Sequence, residues 1–194
     1  NGKDFWHNEG ISHVRFLEQS SGPVYAKIVA ENRWGEELTE VREILLFAAG
    51  KGLIMDWTIT LTALKPVTFG KTKEGGFALR VAPELDTITT SDGRTGEEAA
   101  RSKPAAWCDF SSKDRGVTIM NHPDSFRFPT DWHVRQYGLL AANPFFVQGP
   151  HSLEKGVSLT LRYRVFAHAG DALSVKTSEV YEGYTTPPGN LLIK

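Results

Sequence analysis

Met55-Asp56-Trp57-Thr58-Ile59-Thr60-Leu61-Thr62-Ala63 places an apolar side chain at every second position and a polar one between. A side-chain period of two belongs to a half-buried β-strand, with one face in a core and the other in water. Near the far end of the chain, Val157-Ser158-Leu159-Thr160-Leu161-Arg162-Tyr163-Arg164-Val165-Phe166-Ala167-His168 follows the same logic, giving a second long strand. Weaker alternation runs through 24–33, 38–48 and 77–81, each stretch bounded by Gly, Pro or Asn residues that supply turns. Only the stretch 96–103 reads as helical: Glu97, Glu98, Ala99 and Ala100 follow a Ser91-Asp92-Gly93 turn, and Pro104 stops the run. Many strands with regularly spaced turns and at most one short helix predict an all-β protein, a two-sheet antiparallel β-sandwich.

The chain of 194 residues is long enough for one sizeable core, and no repeat, low-complexity tract or Pro/Ser-rich linker divides it, so 1–194 reads as a single domain. Charges nearly cancel, with 22 Lys plus Arg against 23 Asp plus Glu. No global basic field exists to draw in phosphate backbones, which argues against a nucleic-acid partner. Apolar runs such as 44–49 fall far short of the about 20 residues that cross a bilayer as a helix, so no membrane span is expected. Cys108 is the single cysteine, which excludes an internal disulfide and a CxxC motif. The chain opens with Asn1-Gly2-Lys3-Asp4 and no Met, then runs directly into Phe5 and Trp6. That opening favours a periplasmic or secreted protein after leader removal, with a cytoplasmic one as the alternative.

The densest group of chemically useful residues lies between Trp107 and Phe146, centred on Asn121-His122-Pro123-Asp124-Ser125-Phe126-Arg127-Phe128-Pro129-Thr130-Asp131-Trp132-His133-Val134-Arg135-Gln136-Tyr137-Gly138. Two prolines stiffen what reads as a loop, and a stiff loop holds polar and aromatic side chains in a fixed constellation at little further entropic cost. Arg127, Arg135, Asn121 and Tyr137 supply hydrogen bonds of the kind a polyhydroxylated ligand needs, and Trp132 supplies an aromatic face for a sugar ring. His122 and His133 are the candidate acid–base residues. Glu43, Glu84, Asp109, Asp131, Glu179 and Glu182 all compete for the role of partnering carboxylate. A second dense patch, Asp4-Phe5-Trp6-His7-Asn8, adds His7 and Trp6 to the pocket if the first strand lies beside the loop. His122, His133 and His168 have the ligand chemistry to meet at one divalent metal, but no HxH or HExxH pattern links them, so no metal or cofactor is expected. GxSxG, a Gly-rich phosphate loop and an EF-hand are all missing from the sequence.

Asp4-Phe5-Trp6-His7-Asn8, Trp107-Cys108-Asp109-Phe110-Ser111, Asn121-His122-Pro123 through Arg135-Gln136-Tyr137-Gly138, Ala142-Asn143-Pro144-Phe145 and the closing 161–168 strand together resemble the soluble bacterial proteins labelled methane oxygenase PmoA-like. The resemblance extends over nearly the whole chain. It implies a galactose-mutarotase-like β-sandwich, or supersandwich, in exported proteins associated with sugar degradation, and hence a saccharide ligand. It also implies that further strands and a His-rich stretch precede the segment at Gly2-Lys3-Asp4, so that 1–194 is a sandwich lacking N-terminal strands and its site is completed by that segment. The membrane activity in the label is not implied, because nothing here is long or apolar enough to span a bilayer.

Three readings follow. In the first, a sugar epimerase, lyase or hydrolase uses His122 or His133 as acid or base, Arg127 and Arg135 as clamps and Trp132 as a stacking face. In the second, a non-catalytic carbohydrate-binding or structural module uses the same Arg and Trp residues. The third is a metalloenzyme built on His122, His133 and His168.

Overall fold

The structure, a computed structural model, describes residues 2–5, 7, 10–50 and 52–186. In chain order its strands are β1 (Ile11–Ser21), β2 (Tyr25–Trp34), β3 (Leu38–Ala49), β4 (Gly52–Ala63), β5 (Val67–Phe69), β6 (Phe77–Arg80), β7 (Thr87–Thr90), β8 (Trp107–Ser111), β9 (Arg115–Asn121), β10 (Asp131–Arg135), β11 (Leu139–Asn143), β12 (His151–Leu153) and β13 (Ser158–Ala169). Helix α1 (Glu97–Ala100) lies between β7 and β8, and α2 (Thr177–Thr185) follows β13.

The two stretches with the cleanest alternation are neighbours. β13 pairs antiparallel with β4, from Ser158↔Thr62 to Ala167↔Leu53, and on its other edge with β9. They are the centre of an eight-stranded antiparallel sheet in the order β1-β2-β3-β4-β13-β9-β8-β7. A three-stranded sheet, β10-β11-β6, and the pair β12-β5 complete the fold. This is the all-β architecture that the alternation predicts.

Because side chains alternate across a strand, β13 serves two layers at once. Leu159, Leu161, Tyr163 and Val165 enter the main core together with Ile59, Leu61, Phe110, Ile119, Trp132, Val134 and Leu140. We call the face that bears them the inner face. On the outer face, Phe166 joins Ile54, Trp107, Met120 and Ala172 in a smaller cluster, against which Val180, Tyr181 and Tyr184 of α2 pack.

α2 was not visible in the sequence, and its local chemistry explains why. Lys176 at its N-cap has a left-handed backbone and makes no capping side-chain bond, and its nine residues include Thr177, Val180 and Gly183, all poor helix formers. Packing holds it instead. Tyr181 Oη donates to the Asn121 carbonyl at 3.2 Å, and the Arg164 guanidinium lies 4.4 Å from the Tyr184 ring centroid.

The hairpin β10–β11 is tied to the end of β6 at Gly138. Its φ is +95°, the Val81 amide donates to its carbonyl at 2.8 Å, and a Cβ built on it would stand 2.6 Å from the Val81 carbonyl oxygen. Glycine fits here for two reasons, a backbone that L side chains avoid and a close approach that leaves no room. Gly138→Ala is expected to cost roughly 2 kcal/mol, within the usual range for local backbone strain. Urea unfolding checks this, and an unchanged midpoint would show that β6 and the hairpin are not held at this point.

Candidate functional site

The polar segment 121–138 does not form one surface loop. It threads from the end of β9 through a turn into β10, and its side chains are distributed over several environments. Asn121 is fully buried, with Oδ1 accepting from the Thr130 amide at 3.0 Å and Nδ2 donating to the Arg162 carbonyl at 3.4 Å. Trp132 is also fully buried, its Nε1 donating to the Ala105 carbonyl at 3.0 Å. It therefore presents no face to a ligand in this structure. Arg127 donates to three carbonyls, those of Pro144 at 2.9 Å, Gly149 at 2.6 Å and Pro150 at 3.0 Å, and fastens the 144–150 loop. The expected clamp is committed to the chain's own backbone.

The two candidate acid–base histidines lie apart. His122 Nδ1 accepts from the Asp124 amide at 3.1 Å, and its ring meets Tyr184 edge-on at 4.9 Å. Burial holds its pKa below the ordinary histidine value, with Asp124 opposing. His133 lies on β10 beside Phe146, buried, and its Nδ1 has no hydrogen-bond partner. Burial, then the Arg101 guanidinium, lowers its pKa as well. Arg162, Asp56 and Arg164 surround His122, whereas Arg101, Glu74, Arg135 and Lys73 surround His133. Arg135 and Tyr137 accompany His133: Arg135 is ion-paired with Glu97 at 3.0 Å, and the exposed Tyr137 ring lies between the guanidinium groups of Arg80 and Arg135, at 4.9 and 5.6 Å.

His168 belongs to a third environment, buried beside Asp109 at 2.9 Å and bonded through Nδ1 to the Gly170 carbonyl at 3.0 Å. His122, His133 and His168 therefore do not converge, and no group of three metal-ligating side chains occurs among the described residues. Cys108 is buried and burial pushes its thiol pKa well up, which removes its nucleophilic form. His7 is exposed and paired with Asp4 at 2.9 Å. Trp6 and Asn8 lie outside the described residues.

The structure instead assembles a polar and aromatic cluster on the inner face of β1–β4. Glu40, near the start of β3, has no exposed surface. Asn32 Nδ2 donates to its Oε1 at 3.2 Å and Trp34 Nε1 to its Oε2 at 2.7 Å. Arg42 Nε stands 2.5 Å from Oε1, with its N–H not aimed along the contact, so that interaction is Coulombic. His13 Nδ1 lies 3.4 Å from Asn32 Oδ1. Arg42 also faces the Trp57 ring at 6.0 Å, and the buried Trp57 Nε1 has no partner.

Strand register explains this assembly. His13↔Asn32, Asn32↔Glu40 and Ala30↔Arg42 are direct cross-strand pairs, so these side chains share one face. The cluster lies where the inner face loses its cover. The Trp57 ring packs tilted, 5.3 Å between centroids, against Phe77 of β6, the edge strand of the three-stranded sheet. Beyond it β1 is almost wholly exposed, with Phe16 at 52%. Glu43, the sequence candidate on the same strand, points to the opposite face and pairs with Lys27 at 3.1 Å. One signal was available in the sequence: Leu38, Glu40, Arg42, Ile44 and Leu46 share one side of a strand, and two charged residues interrupt an apolar row.

Residues 1–182 match DUF6807, a family of unknown function, and the chain belongs to that family. No curated protein matches it in sequence. Among solved structures it is similar to heparan sulfate lyase HepC from Pedobacter heparinus, at 9% identity and a TM-score of 0.51 over 80% of this chain. A mutant of the same lyase gives 8% identity and a TM-score of 0.50 over 81%. In both, the chain spans 22% of the lyase's length. A galactose mutarotase-like protein from Lactobacillus casei aligns over 78% of this chain and 72% of its own, at 10% identity and a TM-score of 0.39. At these identities the two lyase comparisons show a shared β fold.

His122, His133 and His151 all have pKa values lowered first by burial. A folded-state pKa below the unfolded one leaves the native form with fewer protons, so this stability is complete above the unfolded value of about 6.5 and is lost as pH falls through the folded values. Asp131, whose pKa burial raises, acts in the opposite sense at lower pH. Melting temperature is expected to fall between pH 7.5 and 5.5, and His133→Asn to flatten the slope. An equally steep slope in the variant would remove His133 from the effect.

Proposed function

We propose that this member of the DUF6807 family binds a saccharide on the inner face of its eight-stranded sheet, at the Glu40 cluster. The observation that carries the reading is a fully buried carboxylate, held by Asn32, Trp34 and Arg42, beside an uncovered sheet face. Sugar recognition requires planar hydrogen-bonding groups of fixed orientation and an aromatic surface for the ring's C–H face. Glu40 provides the orientation. Its two oxygens accept hydrogen bonds from the Asn32 amide and the Trp34 indole and draw the Arg42 guanidinium close by charge. Arg42 keeps 33% of its side chain exposed and His13 is exposed, so both can reach a ligand, with Trp57 as the partly buried ring beneath.

The arrangement favours binding over acid–base turnover at this site. Glu40 is occupied as an acceptor by its neighbours, and the two histidines proposed for catalysis, His122 and His133, have separate surroundings. A general base must reach the proton it removes. The lyases that share the fold act, by name, on heparan sulfate, so uronic acids belong in the panel of ligands to test.

Calorimetric titration of the chain with neutral hexoses, uronic acids and their disaccharides is expected to yield a ligand whose affinity falls about tenfold in Arg42→Lys, since lysine keeps the charge and loses the planar fork. His13→Ala is expected to weaken it less. Binding indifferent to both substitutions would place the ligand elsewhere, and a well-folded chain that binds no saccharide would remove the reading.

A further inference from the structure

Charges on β1, β2 and β3 are sorted by face. Arg15, Glu18, Lys27, Glu31 and Glu43 point to the outer face, where Arg15 pairs with Glu31 at 2.8 Å and Lys27 with Glu18 and Glu43 at 2.9 and 3.1 Å. The inner face of the same strands carries one carboxylate, Glu40, and one guanidinium, Arg42. Their exposure differs: Glu40 is wholly buried, whereas Arg42 keeps 33% of its side chain open. Of the Arg42 nitrogens only Nε is both buried and unpartnered, and neither terminal nitrogen makes a hydrogen bond among the described residues. A ligand on this face therefore meets the outer fork of a guanidinium and no carboxylate oxygen.

We infer that the inner-face site takes an acidic sugar, a hexuronate, with its carboxylate on Arg42 and its pyranose ring on Phe16. The inference rests on the saccharide reading of this site and narrows it to one charge class.

Strand register carries the geometry. Phe16↔Ala30 and Ala30↔Arg42 are direct cross-strand pairs, so the three residues form one row across β1, β2 and β3. Phe16 and Arg42 stand two strand spacings apart, roughly 10 Å, with the small Ala30 buried between their bases. That separation leaves room for one pyranose above Ala30. Phe16 is exposed and supplies the aromatic face that the buried Trp132 does not, and the His13 ring packs tilted against it at 4.5 Å between centroids. A pyranose lays its C–H face on such a ring, and a hexuronate carries its carboxylate at the ring's edge, toward Arg42.

The fork selects the anion. A planar carboxylate accepts from both arms of a guanidinium, and such charge-assisted bonds are roughly twice as strong as those to a neutral hydroxyl. Glu40 tempers the Arg42 charge from below, so discrimination depends on the shape of the fork as much as on its charge.

The test is calorimetric titration of the whole chain with methyl β-D-glucuronide and methyl β-D-galacturonide, against the matching neutral glycosides and a glucose sulfate ester. A uronide is expected to bind about tenfold more tightly than its neutral counterpart, the scale of exchanging a neutral contact for a charge-assisted one. Arg42→Lys is expected to remove most of that preference. Phe16→Ala is expected to weaken acidic and neutral sugars alike, about tenfold. Because Phe16 is exposed on an edge strand, its removal is expected to leave the melting temperature unchanged, which separates lost binding from lost structure. Equal affinity for uronide and neutral glycoside, still dependent on Arg42, would overturn the inference and leave the saccharide reading standing. A preference for the sulfate ester over the uronides, or uronide binding indifferent to Phe16→Ala, would overturn it as well. A folded chain that binds none of these sugars would remove both.

Discussion

The fold depends on the two-sided alternation of β13. Between β4 and β9, this strand directs Leu159, Leu161, Tyr163 and Val165 into the main core and Arg162, Arg164, Phe166 and His168 to the outer face. A one-residue slip would exchange the two sets, placing two arginines in the core and four large apolar groups on the outer layer. Arg164 secures the register from outside. Its Nε and Nη2 reach both oxygens of the opposing Asp56 at 2.6 and 2.8 Å, a bidentate pair that forms only when Arg164 stands across from Asp56.

The outer layer follows from that register. Arg164 also lies over the rings of Phe47 and Tyr184, so one guanidinium links β3, β4 and α2. Phe166 and Met120 supply the apolar ground on which Val180, Tyr181 and Tyr184 settle. A nine-residue helix without a capping bond is unstable alone, and this one exists because the sheet offers that ground. Toward β7, the same outer face changes from aromatic to hydroxyl-bearing, at Thr118, Ser111, Thr89 and Thr87.

The sequence reveals periodic features well and convergent ones poorly. β4 and β13 were legible because their alternation is long and strict, and α1 because alanines and glutamates follow a turn. α2 was not, because its stabilisation is tertiary. The segment 121–138 shows the difficulty for sites. Its density of Arg, His and Trp is real, but strand alternation divides it: Trp132 and Val134 enter the core, while His133 and Arg135 leave on the other side. Arg127 turns to the 144–150 backbone. The Glu40 cluster draws His13, Asn32, Trp34, Glu40, Arg42 and Trp57 from four strands, and only pairing of those strands brings them together.

Stability alone does not account for Glu40 and Arg42. They occupy adjacent positions of a row whose other members, Leu38, Ile44 and Leu46, are aliphatic, and a carboxylate that loses all contact with water pays a desolvation cost of several kcal/mol. Replacing a buried ion pair by apolar groups of similar volume is often neutral or stabilising, so more leucines would serve a core at least as well. What the pair provides is direction: the carboxylate fixes an indole, an amide and a guanidinium within one patch, and the last of these remains partly open to solvent. Such an arrangement costs the fold, a cost for which the proposed saccharide site would account, and it stands where the three-stranded sheet ends and the inner face of the large sheet comes into the open.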